Sequence, residues 1–281
     1  MDYLFDKILK DNFSGSGKIL LQVQEALLAY GRSKKKINTE KLLRQLDVLE
    51  DHFPHFALLF HFLHALRRFL GKEIFTDIAS FTTFIRQYQT FYEHVQQKAA
   101  ENLLRHVPLS GKNILLHSNS SAIHRLFGVL AAKNISPVVW QTVSSPANEG
   151  WKQAETLKGF GFEVHVFHED AVSKFMDGID LAVFGADLLW EESFLNKVGT
   201  LPITLVFRHF NKPVYVLAES RKQISPTKTG RRRFQLFLKE NAKPPGELSL
   251  TPQTDIAIHN YYFETIPLDL VTQVFLEERS F

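Results

Sequence analysis

Four short stretches of this 281-residue chain hold residue types that can do chemistry together. His117-Ser118-Asn119-Ser120-Ser121 groups an imidazole with small hydroxyl and amide side chains. Between a strand and a helix, its free backbone amides would cradle a phosphate, although Ser120 or Ser121 can equally act as a plain N-cap. Val143-Ser144-Ser145-Pro146-Ala147-Asn148-Glu149-Gly150 is a second polar stretch of the same kind. Gly185-Ala186-Asp187 ends in a carboxylate that can serve as a general acid or base, or cap the next element. Asn196-Lys197-Val198-Gly199-Thr200 offers an amide, an ammonium and a hydroxyl that can bind a phosphate or a sugar hydroxyl together.

Elements must place these stretches. β-rich runs are expected at 113–117, 137–142, 163–168, 180–185, 213–218 and 255–258, and helices at 121–133, 149–161, 196–210, 230–241 and 267–277. Such alternation implies a parallel sheet with crossover helices, whose ligands bind beyond the carboxyl ends of the strands. Three of the chemistry-bearing stretches stand at those ends, and the fourth, from Asn196, opens an expected helix. Before Pro108-Leu109-Ser110-Gly111 the pattern is different: helices are expected over 18–30, from Asn38 or Thr39 to 50, from Pro54 to 70, and over 76–106. The chain therefore divides into a helical domain, 1–109, and an α/β domain, 110–281.

Composition sets bounds. Apolar residues at 44% and charged residues at 22% exclude a mostly disordered chain and supply a core, to which 25 phenylalanines contribute. The absence of cysteine excludes disulfides, a thiolate nucleophile and cysteine-ligated zinc. No apolar run approaches the roughly 20 residues needed to span a bilayer, and Met1-Asp2-Tyr3-Leu4-Phe5-Asp6 does not open like a signal peptide. The chain reads as cytoplasmic, with no membrane partner. His52, His55, His61 and His64 stand among Phe and Leu, so no metal is expected there. Gly15-Ser16-Gly17 follows no strand and is a poor dinucleotide fingerprint. The net charge of +3 conceals a segment, 220–243, with eight basic residues and one acid. It reads as a solvated face or as a contact for RNA or an acidic protein.

Taken in order, these turns resemble a known family, the alpha/beta/delta subunits of eukaryotic initiation factor 2B, which also includes methylthioribose-1-phosphate isomerase and ribose-1,5-bisphosphate isomerase. The resemblance rests chiefly on Gly185-Ala186-Asp187, Asn196-Lys197-Val198-Gly199-Thr200 and Pro213-Val214-Tyr215-Val216-Leu217-Ala218-Glu219-Ser220. Ile114–Ser118, Thr142–Gly150, Asp170-Ala171, Phe263–Pro267 and Asp11–Ile19 are weaker matches. It implies an N-terminal helical domain before a Rossmann-like domain, a phosphosugar pocket at the carboxyl edge of the sheet, and a homodimer built from the C-terminal domains.

This sequence departs from the isomerases inside that implied pocket. Their cysteine, paired with the Asp187 carboxylate, is Ser118 here, and an arginine of the second turn is Ser145. A hydroxyl is a far poorer acid than a thiol, and losing an arginine removes a bidentate phosphate ligand. The expectation is a non-catalytic regulatory protein that binds a phosphorylated sugar or a nucleotide. His117, Asn119, Ser120, Ser121, Ser144, Ser145, Asn196, Lys197, Gly199 and Thr200 are its candidate ligands, and no cofactor or metal is expected. The alternative is an aldose–ketose isomerase of a ribose phosphate, with Asp187 as acid and base and Ser118 assisting.

Overall fold

The computed structural model describes residues 4–11, 15–54, 56–71, 75–225, 227–238, 243–248 and 256–280. Two compact units, Met1–His94 and Val95–Phe281, divide the chain.

The first unit holds α1 (Asp6–Leu9), α2 (Ser16–Arg32), β1 (Ile37–Asn38), α3 (Thr39–His52), α4 (Ala57–Leu70), β2 (Phe75–Thr76) and the start of α5 (Ile78–His106). Asn38 caps α3 by accepting the Lys41 amide at 2.8 Å. Gly71 ends α4 at φ +59°, a left-handed value that suits glycine. Leu27, Leu46, Phe62, Leu66 and Phe81 share one buried core. Two of the histidines are engaged there: His61 Nδ1 meets the Tyr88 hydroxyl at 2.9 Å, and His64 stacks on Phe60. His55 lies outside the described residues.

The second unit continues with β3 (Asn113–Leu116), α6 (Ser121–Ala132), β4 (Val138–Thr142), α7 (Gly150–Gly159), β5 (Glu163–Phe167), β6 (Leu181–Phe184), β7 (Leu188–Trp190), β8 (Ser193–Lys197), α8 (Thr200–His209), β9 (Val214–Leu217), β10 (Gln223–Ile224), α9 (Lys228–Leu238), β11 (Phe263–Pro267) and β12 (Gln273–Phe275). Six parallel strands form the main sheet in the order β12-β9-β6-β3-β4-β5. β6 is buried along its whole length, as a strand covered on both faces should be. The chain winds from β3 outward to β5, then returns to place β6 on the other flank of β3. The order therefore reverses between β3 and β6, and in open sheets of this kind ligands bind in a crevice beyond the carboxyl ends at that point. A second sheet, β10-β7-β8-β11, carries the Asn196-Lys197 pair at the end of β8.

Three expectations need correction. The stretch 267–277 is not helical: after β11 a 3-10 turn leads to β12, which pairs in parallel with β9. Val274 and Phe275 are buried there, and an aromatic next to a β-branched residue suits a strand. The strand expected at 255–258 is not formed by the described residues 256–258, and β12 is the last strand of the main sheet instead. Ile256 is 61% exposed, while Asp255 lies outside the described residues. The helix expected from Asn196 begins instead at Thr200, because Gly199 at φ +99° separates it from β8.

The helix–sheet packing is close at α7, where a β-carbon on Gly150 would lie 1.9 Å from the Thr142 carbonyl oxygen. Gly150→Ala is therefore expected to destabilise the protein by about 1–3 kcal/mol through overpacking. A urea midpoint equal to that of the unaltered protein would contradict this close approach.

Candidate functional site

The turn after β3 is the centre of the crevice. Ser118 takes φ +68°, a left-handed conformation between strand and helix. The Ser120 side chain makes no capping bond to α6. Its amide instead donates to Gln153 Oε1 at 2.9 Å, and Gln153 donates on to Gln141 at 2.8 Å, both glutamines being fully buried. The first turn of α6, beginning at Ser121, thus lacks an N-cap side chain, which leaves its positive end for an anion. Asn119 Oδ1 is buried without a partner among the described residues.

His117 knits the site together. Nδ1 lies 2.6 Å from Thr142 Oγ1 and Nε2 lies 2.9 Å from the Val198 carbonyl oxygen. A carbonyl can only accept, so Nε2 carries the proton and Nδ1 accepts from the threonine. Burial holds the imidazole below its usual basicity. Gly199 fits against it: a β-carbon there would stand 2.9 Å from His117 Cε1. Ser144, fully buried, accepts the Ser118 amide at 2.7 Å and lies 2.8 Å from Thr142 Oγ1.

Charge enters through residues that sequence reasoning did not single out as ligands. The Ser118 hydroxyl donates to the Glu149 carboxylate. Glu149 also lies 4.0 Å from Lys197 Nζ, and that ammonium, 2% exposed, sits 4.1 Å from the centre of the Tyr262 ring. Both neighbours offset the cost of burying the cation. At the second turn the amides of Ser144 and Ser145 donate to the two oxygens of Glu169, at 2.9 and 2.6 Å. Ser145 Oγ is 3.3 Å from Asn148 Oδ1 and from His168 Nε2.

Gly185 allows the third turn to touch the first, since a β-carbon there would lie 2.4 Å from Ser120 Oγ. Asp187 follows, half-buried, with its amide donating to the Leu195 carbonyl at 2.8 Å. Lys222, 4% exposed, donates from Nζ to the Ala186 carbonyl, and among the described residues no carboxylate pairs with it. Arg221 beside it is paired with Glu219, at 2.7 Å from Nε. Two of the eight basic residues of 220–243 are thus buried against the sheet edge rather than solvated. Residues 226 and 239–242 of that segment lie outside the described residues.

Asn196 and Thr200 bond mainly to each other. Asn196 Nδ2 donates to Thr200 Oγ1 at 3.0 Å, which donates to the Lys197 carbonyl at 2.6 Å. The first amides of α8 are met by Glu264 of β11, which accepts the Leu201 amide at 2.8 Å. Burial raises the Glu264 carboxyl above its usual range, against the lowering effect of these amides. The structure therefore brings together His117, Ser118, Ser144, Lys197 and Gly199, and sets Asn196 and Thr200 in a buried bracket behind them.

The model of the initiation factor 2 subunit family matches residues 14–278. This chain belongs to that family. Among its relatives, the ribose 1,5-bisphosphate isomerase of Methanocaldococcus jannaschii is 24% identical over 97% of this chain and 88% of that protein. The translation initiation factor eIF2B subunit alpha of Dictyostelium discoideum is 29% identical over 55% of this chain and half of that protein. The crystal structure of 5-methylthioribose 1-phosphate isomerase from Pyrococcus horikoshii superposes with a TM-score of 0.77 at 18% identity, covering 99% of this chain and 83% of that one, and so shares the fold. Sequence resemblance and fold agree on this family. Among the described residues no helix is long and apolar enough to cross a membrane.

Glu149 and Lys222 carried faint sequence signals, one closing the second turn and the other just past the Glu219-Ser220 pair. Glu169 directly follows the expected 163–168 strand and adjoins Asp170-Ala171 but was not singled out, and Tyr262 had no signal of its own. A pH effect follows from His117 and His124, both held by burial below the usual histidine value of 6.5. The unfolded chain then binds more protons below about pH 6.5, so stability is full above that value and falls as pH drops towards the folded-state values. Urea midpoints measured between about pH 7.5 and 5.5 should decline for the unaltered protein and decline less in His117→Gln. Parallel curves for the two proteins would contradict a neutral buried His117.

Proposed function

We propose that this chain is a non-catalytic, regulatory member of its family that binds a phosphorylated sugar or a nucleotide in the crevice between β3 and β6. The observation that carries this reading is Ser118, a hydroxyl where the resemblance implies the isomerases' thiol. Its proton is directed to Glu149. A hydroxyl of ordinary acidity does not exchange protons with a sugar carbon acid at neutral pH, so Ser118 does not supply the acid that the isomerases' thiol would. The binding frame survives: an uncapped α6 N-terminus, the unpartnered Asn119 Oδ1, and the buried Lys222 ammonium with one carbonyl acceptor for three protons.

The same reading includes a homodimer through the C-terminal unit, where Trp151, Leu205 and Phe210 are exposed apolar candidates for contact. An acidic protein or RNA at 220–243 is a further partner proposal, supported by the net charge of that segment.

A second reading, aldose–ketose isomerisation of a ribose phosphate with Asp187 as acid and base and Ser118 assisting, is favoured by one observation. Two relatives matched over 97% of this chain are ribose 1,5-bisphosphate isomerases.

Calorimetry with ribose 5-phosphate tests the first reading. Replacing Lys222 by Met should weaken binding by about 10- to 100-fold, the loss expected for a charge-assisted hydrogen bond. Asp187→Asn should leave binding within about threefold. Turnover of any ribose phosphate that Asp187→Asn abolishes would instead establish the second reading.

A further inference from the structure

The carboxyl edge of the sheet has two seats built from backbone N–H groups. One is the start of α6, after β3, without an N-cap side chain. The other is the Ser144-Ser145 turn, after β4, where two successive amides point at one place. An amide pair of this kind is an anion nest. It is already filled: Glu169, from the 3-10 turn after β5, places one carboxylate oxygen 2.9 Å from the Ser144 nitrogen and the other 2.6 Å from the Ser145 nitrogen. The carboxylate meets both donors as a phosphate would.

We propose that Glu169 is a built-in anion that restricts the crevice to ligands with a single phosphate. The proposal rests on the phosphate-binding reading above and deepens it by naming the ligand class. Beside the remaining seat stand two groups with hydrogen-bonding capacity to spare. Lys222 is 4% exposed, has one carbonyl acceptor, and pairs with no carboxylate among the described residues. Its acceptor, Ala186, adjoins Gly185, which packs against Ser120 at the start of α6. Asn119 Oδ1, buried and unpartnered on the same turn, suits a sugar hydroxyl rather than a phosphate, because an oxygen acceptor repels an anion. A second phosphate would have to displace Glu169 from its amides or lie against its charge. Like charges in contact in a partly buried site are strongly unfavourable. Lys197 does not relieve this, because its ammonium is already set between Glu149 and the Tyr262 ring.

Calorimetry with a matched pair of probes, ribose 5-phosphate and ribose 1,5-bisphosphate, decides the matter on the full chain. The unaltered protein should bind the monophosphate at least about tenfold more tightly, the reverse of what total ligand charge alone would give. Glu169→Gln keeps the shape and removes the charge. It should strengthen bisphosphate binding by about tenfold and change monophosphate binding less than about twofold. Equal or tighter binding of the bisphosphate by the unaltered protein would overturn the proposal and leave the phosphate-binding reading standing. Binding of neither probe would overturn that reading and the proposal with it. Should Glu169→Gln fail to fold, the preference of the unaltered protein decides alone.

Discussion

A neutral, buried imidazole holds this site together. His117 directly follows β3, accepts from a threonine at the end of β4 and donates to the carbonyl that follows β8. Three segments far apart in sequence are fixed by one ring with two nitrogens in opposite roles. The glycine at 199 exists in its left-handed conformation against that ring, and it is this glycine that lets the chain leave β8 and start α8. Burial disfavours a charged imidazole here, and the nearby Glu169 and Glu149 carboxylates offset that only in part. The neutral ring, with one nitrogen accepting and the other donating, is the form that fits these contacts.

Around this ring the charges are arranged in fixed local pairs. Lys197 lies between a carboxylate and an aromatic face, and Arg221 is bound to Glu219. Glu169 is held by two amides and Glu264 by the start of α8. Among the described residues near the first turn, Lys222 has one acceptor, Asn119 Oδ1 and His124 Nε2 are buried without a partner, and the start of α6 has no N-cap side chain. That inventory suits recognition of a modest anionic ligand. Proton transfer between carbons of a sugar needs an acid and a base poised near neutral pH, and a serine bound to a glutamate does not supply one.

Much of this was legible in the sequence, and the reasons are local. The strands at 113, 138, 163, 181 and 214 are short apolar runs bounded by turn residues, and the residues after them are those that line the crevice. Ser118 and Ser144 stand out in the sequence because they follow strands of the parallel sheet, whereas Lys197 and Gly199 stand out by residue type alone, in a stretch that reads as a helix start and instead ends the antiparallel β8. Harder to read were elements set by distant pairing. β12 is a strand because β9 offers it an open edge, and its own apolar spacing fits a helix nearly as well. The β7–β8 hairpin inserts between Asp187 and Thr200 in a stretch whose turn chemistry reads as a helix start. Glu169 and Tyr262 matter only through contacts made across the fold, which residue type and spacing do not encode.

The central claim is that the crevice binds a phosphorylated ligand without converting it. Phosphorus NMR of the unaltered protein mixed with pentose, hexose and methylthioribose phosphates tests that claim most directly. Selective broadening or shift of one monophosphate resonance, with no new peak over time, is the expected spectrum. New resonances growing with time would contradict it and show that Asp187 sustains catalysis without a thiol.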